Sequence, residues 1–533
     1  MYDGSLYWDE SITKNMAMKD VSPQKTVFTY SETEESLYLV LRRAAQDSPN
    51  KTAIVDNYSR SFTYLDLLGK VDAFSSHLKY IRDVKYQSHV ALMFYNSIEF
   101  CVAFLALSKL GAVAIPLPTK YTKQEVSSLI DKSDVEFIIC DEAFFDWFVP
   151  YETKNVSIIR SSGIEQGYGF AYIEDAFLPQ TKPEGGYQDT AIIMFTSGTT
   201  SQSKGVMIKN YNMMHAIVSY QRILGITGED ISIIPIPIYH ITGIVALLGL
   251  FLYVQGTLYL LKFFDAGRVL DCVKQNGITF IHASPTIFSK LLELSPSYPS
   301  LPSLRSFACG SSNMPKEKLN EIHRWLPHTV FHTVYGLTET TSPATIYPGD
   351  AGTGMHIGSS GRPIPGLCFK ILDEKGEELS HEKVGEIHIK GSVVLDAYYN
   401  TKTEALSDGW LDTGDLGYFT ADGYLYVVDR KKDMINRGGE KIWSFDVENE
   451  LYHIKGIVEA AVVGIPDEIY GEVAAAAVRF APGIHYTEKE LQRLLRTRLA
   501  KYMIPAKIIE VPEIPLTRNS KIDKIAVRKL FTN

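Results

Sequence analysis

The first half of the chain repeats one pattern: four or five consecutive apolar residues, then a longer segment with helical spacing. Val90–Phe94, Val113–Pro116 and Ala191–Phe195 are such runs, apolar throughout rather than alternating, as in strands covered on both faces. Leu37–Ala45, Tyr64–Leu78 and Glu99–Leu110, the last stopping at Gly111, supply covering helices. Thr52–Asp56 and Ser61–Thr63 read as short strands around a turn at Asn57. The rhythm resumes with Gly277–His282 and the helix Pro285–Leu294. This pattern predicts layered α/β sheets. A chain of 533 residues also exceeds what one core holds, so two or more domains are expected.

Past about Gly366 the character changes to short strands with polar turns: Phe369–Asp373, Gly385–Ile389, and a hairpin signalled by Asp422-Gly423 between Tyr418-Phe419 and Tyr424-Leu425. This predicts a small β-rich subdomain over about 366–430. The charged cluster Arg430-Lys431-Lys432-Asp433 marks the boundary between a domain of residues 1–430 and a compact α+β unit of residues 431–533. That unit should hold a helix near Asp446–Tyr452, strands Ala460–Ile465 and Ala474–Phe480, a helix Glu488–Lys501 and a strand Lys507–Val511.

Composition excludes several classes. Hydrophobic content of 45% and a net charge of −9 without a basic run argue against disorder, nucleic acid and anionic membranes as partners. Five scattered cysteines point to free thiols in a reducing, cytoplasmic setting rather than disulfides or zinc. Met1–Lys19 lacks the apolar core of a signal peptide. Ile244–Leu261 is apolar enough to raise a transmembrane reading. The break at Val254-Gln255-Gly256-Thr257 instead predicts a buried helix followed by a strand, and no integral membrane span.

Between two apolar strands lies Phe195-Thr196-Ser197-Gly198-Thr199-Thr200-Ser201-Gln202-Ser203-Lys204-Gly205. Small residues let backbone N–H groups and hydroxyls approach an anion closely, and a lysine adds a point charge for phosphate oxygens. A Walker A loop needs Ser or Thr directly after its lysine and a helix beyond; Gly205 and a strand follow here, so that reading fails. Further along come Pro237-Ile238-Tyr239-His240, Tyr335-Gly336-Leu337-Thr338-Glu339-Thr340, Thr413-Gly414-Asp415, Asp429-Arg430-Lys431-Lys432-Asp433 and Pro515-Leu516-Thr517-Arg518-Asn519-Ser520-Lys521-Ile522.

These stretches, in this order from about Thr52 to Leu530, resemble the adenylate-forming superfamily of acyl-CoA synthetases, peptide-synthetase adenylation domains and luciferases. The resemblance implies a large N-terminal domain and a small mobile C-terminal one. It implies a reaction in which a carboxylic acid attacks ATP to give acyl-AMP and pyrophosphate, and the acyl group then passes to a thiol. The loop Thr196, Ser197, Gly198, Thr199, Thr200 and Lys204 would wrap the β and γ phosphates. Glu339 would hold Mg2+, a hard cation suited to carboxylate oxygen, and Thr338 would touch the α-phosphate. Tyr335 and Gly336, with Gly310-Ser311-Ser312, would flank the adenine. Asp415 and Arg430 would take the ribose. Lys521 would bridge the acid and the α-phosphate. Lys432 would be the hinge, and Gly438 and Gly439 would line the path of coenzyme A.

The sequence departs from the family at Ser201, Ser203, Ser444 and Ser520, where glycine or proline is usual; each lies in a loop where serine is small enough to be tolerated. His240 stands where amino-acid-activating members place an aspartate, and the apolar Ile241 follows it, so a fatty or simple aryl acid is expected. For the acceptor, coenzyme A is favoured by Asp429–Ile435. A phosphopantetheinyl carrier protein is the alternative, because Asn436–Lys441 also occurs in members that load aryl acids onto carriers. A luciferase-like oxygenase and a non-catalytic nucleotide-binding protein stand further off; intact Lys204, Glu339, Asp415 and Lys521 speak against the last.

Overall fold

The structure, a computed structural model, describes residues 1–22, 25–57, 59–162, 167–173, 178–196, 203–517 and 521–531. Two large sheets carry the N-terminal part. One has seven strands in the order Tyr398–Tyr399, Gly205–Lys209, Thr190–Phe195, Val113–Pro116, His89–Met93, Phe137–Cys140 and Ser157–Arg160. The other has nine, in the order Arg362–Pro363, Thr345–Ile346, Val330–Tyr335, Ser306–Cys309, Phe280–Ala283, Ile231–Ile234, Thr257–Leu260, Thr52–Asp56 and Ser61–Thr63. Their middle strands are parallel; the outer pairings are antiparallel except at the Ser157–Arg160 edge of the first sheet, which is parallel. Helices Leu37–Asp47, Tyr64–Tyr80, Ile98–Leu110 and Asn210–Leu224 lie in the core that the inner faces share. Lys123–Asp131 and Phe145–Glu152 cover the outer face of the first sheet, and Ala266–Asn276, Pro285–Glu293 and Lys316–Trp325 that of the second.

Local signals set these boundaries. Thr63 and Asp66 form a reciprocal cap on Tyr64–Tyr80, as Thr122 and Glu125 do on Lys123–Asp131. Gly111 ends Ile98–Leu110 at φ +63°, a left-handed position at which a side chain would also strike Gly185 and Tyr86. Ile244–Leu261 resolves into a π-helical stretch Thr242–Gly249, a short α-helix Leu250–Val254, a left-handed Gln255, and the strand Thr257–Leu260. Among the described residues no helix is long and apolar enough to cross a membrane.

The β-rich sheet joins Leu367–Leu372, Gly385–Gly391, Trp410–Phe419, Leu406–Ser407 and Leu425–Arg430, with the Asp422-Gly423 hairpin where the sequence puts it. It also takes an edge strand from the other end of the chain, Tyr2–Asp3 paired with Cys368 and Phe369, which the range 366–430 omits. Residues from Ile435 onward build a separate five-stranded sheet of Glu440–Ile442, Ile435–Arg437, Gly471–Phe480, Ile457–Asp467 and Lys507–Glu510, whose two apolar clusters contain only residues of this unit. The expected helix Glu488–Lys501 stops at Leu495; Arg496 caps it, and Lys501–Met503 form one separate 3-10 turn.

Arg60 clamps the two large sheets together. Its guanidinium grips both Glu99 oxygens (2.7 and 3.1 Å) from the helix over the seven-stranded sheet, and donates Nε to Asp56 Oδ2 (2.7 Å) in the nine-stranded one. Glu99 also accepts from the Gly169 N–H at 2.9 Å and is 1% exposed. Breaking a buried pair by removing one partner costs about 3–5 kcal/mol. Glu99→Ala should therefore lower unfolding stability by about 3 kcal/mol in a urea titration followed by tryptophan fluorescence. A loss below about 1 kcal/mol contradicts the clamp.

Candidate active site

Four parallel strands of the nine-stranded sheet end at one edge, and each hands over to a segment singled out in the sequence. Ile231–Ile234 leads to Pro235–His240, Phe280–Ala283 to Ser284, Ser306–Cys309 to Gly310–Ser312, and Val330–Tyr335 to Gly336–Thr340. The carboxyl edge of an open parallel sheet is where its loops leave a crevice for ligand.

Tyr335 and Asp415 meet in that crevice. The Tyr335 hydroxyl donates to Asp415 Oδ2 at 2.8 Å, and Arg430 Nε lies 3.1 Å from Oδ1. Asp415 and Arg430 are register partners on adjacent antiparallel strands, which is why residues fifteen apart in sequence converge. Gly414, at φ +69°, turns the chain so that the Asp415 N–H reaches Thr413 Oγ1 (3.1 Å). Asp415 is 3% exposed, and burial raises its pKa against the pull of Arg430 and the Tyr335 hydrogen bond. Both Asp415 oxygens keep acceptor capacity for the two hydroxyls of a ribose.

Glu339 sits in a single 3-10 turn, Thr338–Thr340, pinned by Leu395 N–H donating to its carbonyl at 2.9 Å and by Leu337 N–H donating to Thr340 Oγ1 at 2.8 Å. One carboxylate oxygen accepts from the Tyr398 hydroxyl at 3.2 Å. Burial raises the Glu339 pKa, opposed by its own backbone N–H, Tyr398, Arg430 and Lys521. The remaining oxygen lone pairs suit a hard divalent cation. Tyr398 also offers its ring face to Lys204, whose Nζ lies 5.1 Å from the centroid and donates to Thr403 Oγ1 at 3.0 Å. Thr196 N–H donates to the Lys204 carbonyl at 3.1 Å, closing the ends of the phosphate loop. Ser197, Gly198, Thr199 and Thr200 lie outside the described residues, as do Ser201 and Ser520.

Lys521, half-buried, reaches this centre from the C-terminal unit; Thr517 N–H donates to its carbonyl (2.6 Å), and its own N–H donates to Thr517 Oγ1 (3.2 Å). Burial and then Arg430 bring its ammonium down to about 8, while Asp415 and Glu339 pull the other way. His240 feels the same lysine: burial, then Lys521 and Lys120, hold its imidazole down at about 3, so it is neutral near pH 7. Its Nε2 has no hydrogen-bond partner among the described residues. The loop that carries it is fixed by Asn96, which accepts from Ile238 N–H (2.7 Å) and donates to Ile236 O (2.8 Å).

Of the residues expected to flank the adenine, Gly310 is buried, Ser311 (φ +75°) and Ser312 are exposed, and a side chain at Gly336 would press on the Ala344 N and Thr340 Oγ1 at 3.2 Å. Of the remaining candidates, Lys432 is close enough to disfavour the Lys521 ammonium, whereas Gly438 and Gly439 sit on a hairpin of the C-terminal sheet. Lys432 is exposed between the last strand of the β-rich sheet and Ile435–Arg437 of the C-terminal sheet, and its neighbour Lys431 donates its N–H to Gly414 O at 3.0 Å. Gly438 (φ +58°) and Gly439 (φ +95°) form the exposed tip of the hairpin Ile435–Ile442, with Gly438 N–H donating to Tyr470 O and Arg437 stacked 3.6 Å from the Tyr470 ring centroid.

Asn96, Tyr398 and Thr403 were missed in the sequence. None stands in a chemistry-bearing motif, and only tertiary contact reveals them.

The family model for AMP-binding enzymes matches residues 41–399, and that for the AMP-binding enzyme C-terminal domain matches residues 446–521. A 2-succinylbenzoate–CoA ligase from Bacillus mycoides is 32% identical over 490 residues, which are 91% of this chain and 96% of that one. An indoleacetate–CoA ligase from Aromatoleum aromaticum is 30% identical over 501 residues, 92% of this chain and 96% of that one. The solved structure of o-succinylbenzoate coenzyme A synthetase from Bacillus subtilis, in complex with ATP and magnesium ion, aligns with a TM-score of 0.81 at 28% identity, covering 94% of this chain and 100% of that one. This chain belongs to the AMP-binding enzymes of the adenylate-forming superfamily and carries both of the family's domains.

Proposed function

We propose that the chain is an AMP-forming acid–CoA ligase: it joins an aryl carboxylic acid to ATP as acyl-AMP, releases pyrophosphate, and passes the acyl group to coenzyme A. The observation that carries this reading is the convergence of Lys521, Glu339, Asp415 and His240 from two separately folded units on one crevice. The named relatives favour an aryl acid over a fatty one, and coenzyme A over a carrier protein. Five unpaired cysteines fit a cytoplasmic setting.

Asp415 and Arg430 hold the ribose, Tyr335 with Gly336 and Gly310-Ser311-Ser312 flanks the adenine, and Thr196–Lys204 surrounds the outer phosphates. Thr338 contacts the α-phosphate. Glu339 is the residue that would hold Mg2+, which neutralises phosphate charge when bound. A carboxylate oxygen of the acid then attacks the α-phosphorus, and the bond to pyrophosphate breaks. Lys521 places a cation where acid and α-phosphate, both anionic, would otherwise repel each other. His240, neutral and with Nε2 unpartnered, borders the acid's side of the crevice.

For the second half-reaction the unit 431–533 swings about Lys432, withdrawing Lys521 and bringing Gly438 and Gly439 toward the adenylate, where bare glycine backbone leaves room for a pantetheine arm. The thiol sulfur attacks the acyl carbon, AMP leaves, and the thiol proton passes to solvent. Polar contacts across the two units include Arg479–Glu293 (2.6 Å), Lys441–Glu374 (2.8 Å) and Ser444 N–H donating to Asp429 Oδ2 (2.6 Å), which a swinging unit would break.

Pyrophosphate release over a panel of aryl, fatty and amino acids tests the reading; no AMP from ATP with any acid overturns it. Lys521→Ala should cut adenylation by about a hundredfold or more yet spare thioester formation from supplied acyl-AMP. Equal loss of both contradicts the assignment. Since the ammonium is the working form, wild-type adenylation should fall as pH rises through about 8, and Lys521→Arg should move that limb to higher pH. Proline fixes φ, so Lys432→Pro should slow thioester formation by at least about tenfold while sparing adenylation; an unchanged thioester rate removes Lys432 as the hinge.

A further inference from the structure

The strand Phe280–Ala283 lies between Ile231–Ile234, which leads to His240, and Ser306–Cys309, which leads to Gly310. Residues at its carboxyl end therefore stand between the acid side and the adenine side of the crevice. His282 is there, 1% exposed, with its ring centroid 5.6 Å from that of Tyr220. Phe280, Tyr220 and Ala308 belong to the inner core, whereas Ile281, Ala283 and Cys309 belong to the outer one, so His282 faces inward. A side chain at Gly310 would lie 3.2 Å from the Val334 carbonyl and 3.6 Å from His282 Nε2, so the imidazole stands directly beside the Gly310 segment.

Ser284 follows two residues later with extended backbone (φ −86°, ψ 161°), which carries the alternation on and puts it on the same face as His282. It is 8% exposed and begins the helix Pro285–Glu293 without capping it through its side chain. His282 Nδ1 and Ser284 Oγ are both buried without a hydrogen-bond partner among the described residues. A buried polar atom left unpaired costs about 1–3 kcal/mol, and two on one face of a ligand crevice mark a place where ligand supplies the partner. Burial alone holds the His282 imidazole down at about 3, leaving it neutral. Aromatic and aliphatic side chains surround it. A second carboxylate placed there would be buried without a counter-charge, which is far costlier than burying a hydroxyl or carbonyl.

We propose that His282 and Ser284 are specificity-determining residues that select acids bearing a neutral hydrogen-bonding substituent, such as a hydroxyl, carbonyl or aryl amine, remote from the reacting carboxylate. The inference rests on the acid-activating reading above and narrows its substrate class. It separates this chain from its relative named for 2-succinylbenzoate, a dicarboxylate.

The test is kcat/KM for pyrophosphate release with the full chain, ATP and magnesium, over aryl acids matched in size: apolar-substituted, hydroxy- or keto-substituted, and carboxy-substituted. The neutral polar acids should exceed their apolar isosteres by at least about tenfold, with the carboxy-substituted acids poorest. Ser284→Ala and His282→Phe should each shrink the polar-to-apolar ratio about tenfold or more, mainly through KM. Ser284→Ala removes one oxygen and keeps the backbone, so it reads the ratio even where His282→Phe folds poorly. A ratio unchanged within twofold in Ser284→Ala, or a carboxy-substituted acid as the best substrate, overturns the selectivity while leaving the ligase reading intact. No pyrophosphate release with any acid overturns both.

Discussion

The contact on which the rest of the site depends is Asp415 between Tyr335 and Arg430. A carboxylate 3% exposed is tolerated only because a hydroxyl and a guanidinium face it. The three come from three different places: the end of a strand in the nine-stranded sheet, and two neighbouring strands of the β-rich sheet. Their meeting fixes how those sheets sit against each other. It also ties Asp415 to the boundary between the units, because Arg430 is the last residue of its strand and Lys431 donates back to Gly414 O beside Asp415. Under the proposed reading, the residue that grips the ribose and the residue that turns are two apart in the chain.

The electrostatics of Lys521 follow from the same arrangement. Its ammonium has given up much of its hydration and lies near Arg430 and Lys432, which disfavour it, as well as Asp415 and Glu339, which favour it. Without bound phosphate the cation is held only weakly. On the proposed reading, triphosphate would supply the missing counter-charge and loss of pyrophosphate would remove part of it. A lysine so balanced would be stable in place during adenylation and easier to withdraw afterward. Lys524, three residues on, behaves differently: it contacts Ser444 Oγ and lies 3.2 Å from Glu448 Oε1, both in its own unit, so the helix behind Lys521 is tied to the rest of that unit.

The sequence made the chemistry legible where chemistry needs particular residue types close together in the chain, as in Thr413-Gly414-Asp415 or Thr338-Glu339. The pairing of Asp415 with Arg430 was not: the register of the Asp-Gly turn would set Asp415 opposite Asp429, and a shift between Leu416 and Gly417 brings it to Arg430 instead. What stayed hidden depends on distance along the chain. The strand Tyr2–Asp3 pairs with residues more than 360 positions away, and two residues carry no periodicity. The helix Asn210–Leu224 was not read from its composition because Asn, Met, His and Ser on its buried side blur the apolar stripe; Asn212 and His215 are buried and hydrogen-bonded to Ser392 and Pro365 carbonyls. His282 escaped for a similar reason: one polar residue in an apolar strand has no motif around it.

The segment that raised a membrane reading explains why neutral histidines suit this site. Thr242–Gly249 is apolar on every side because it is packed on every side, its Gly243 so close to Ile238 that a side chain would come within 2.7 Å of the Ile238 carbonyl. The same packing forces the wider π-helical turn immediately after His240, the kind of irregularity that a plain covering helix avoids and a ligand wall exploits. Such a wall is dry. In it an imidazole is stable only without charge, which is how burial leaves both His240 and His282. On the proposed reading charge gathers on the phosphate side, where Lys204, Arg430 and Lys521 stand, and the acid's organic part meets the neutral imidazoles of His240 and His282. That division would let one crevice hold a polyanion beside the uncharged body of the acid without either spoiling the environment of the other.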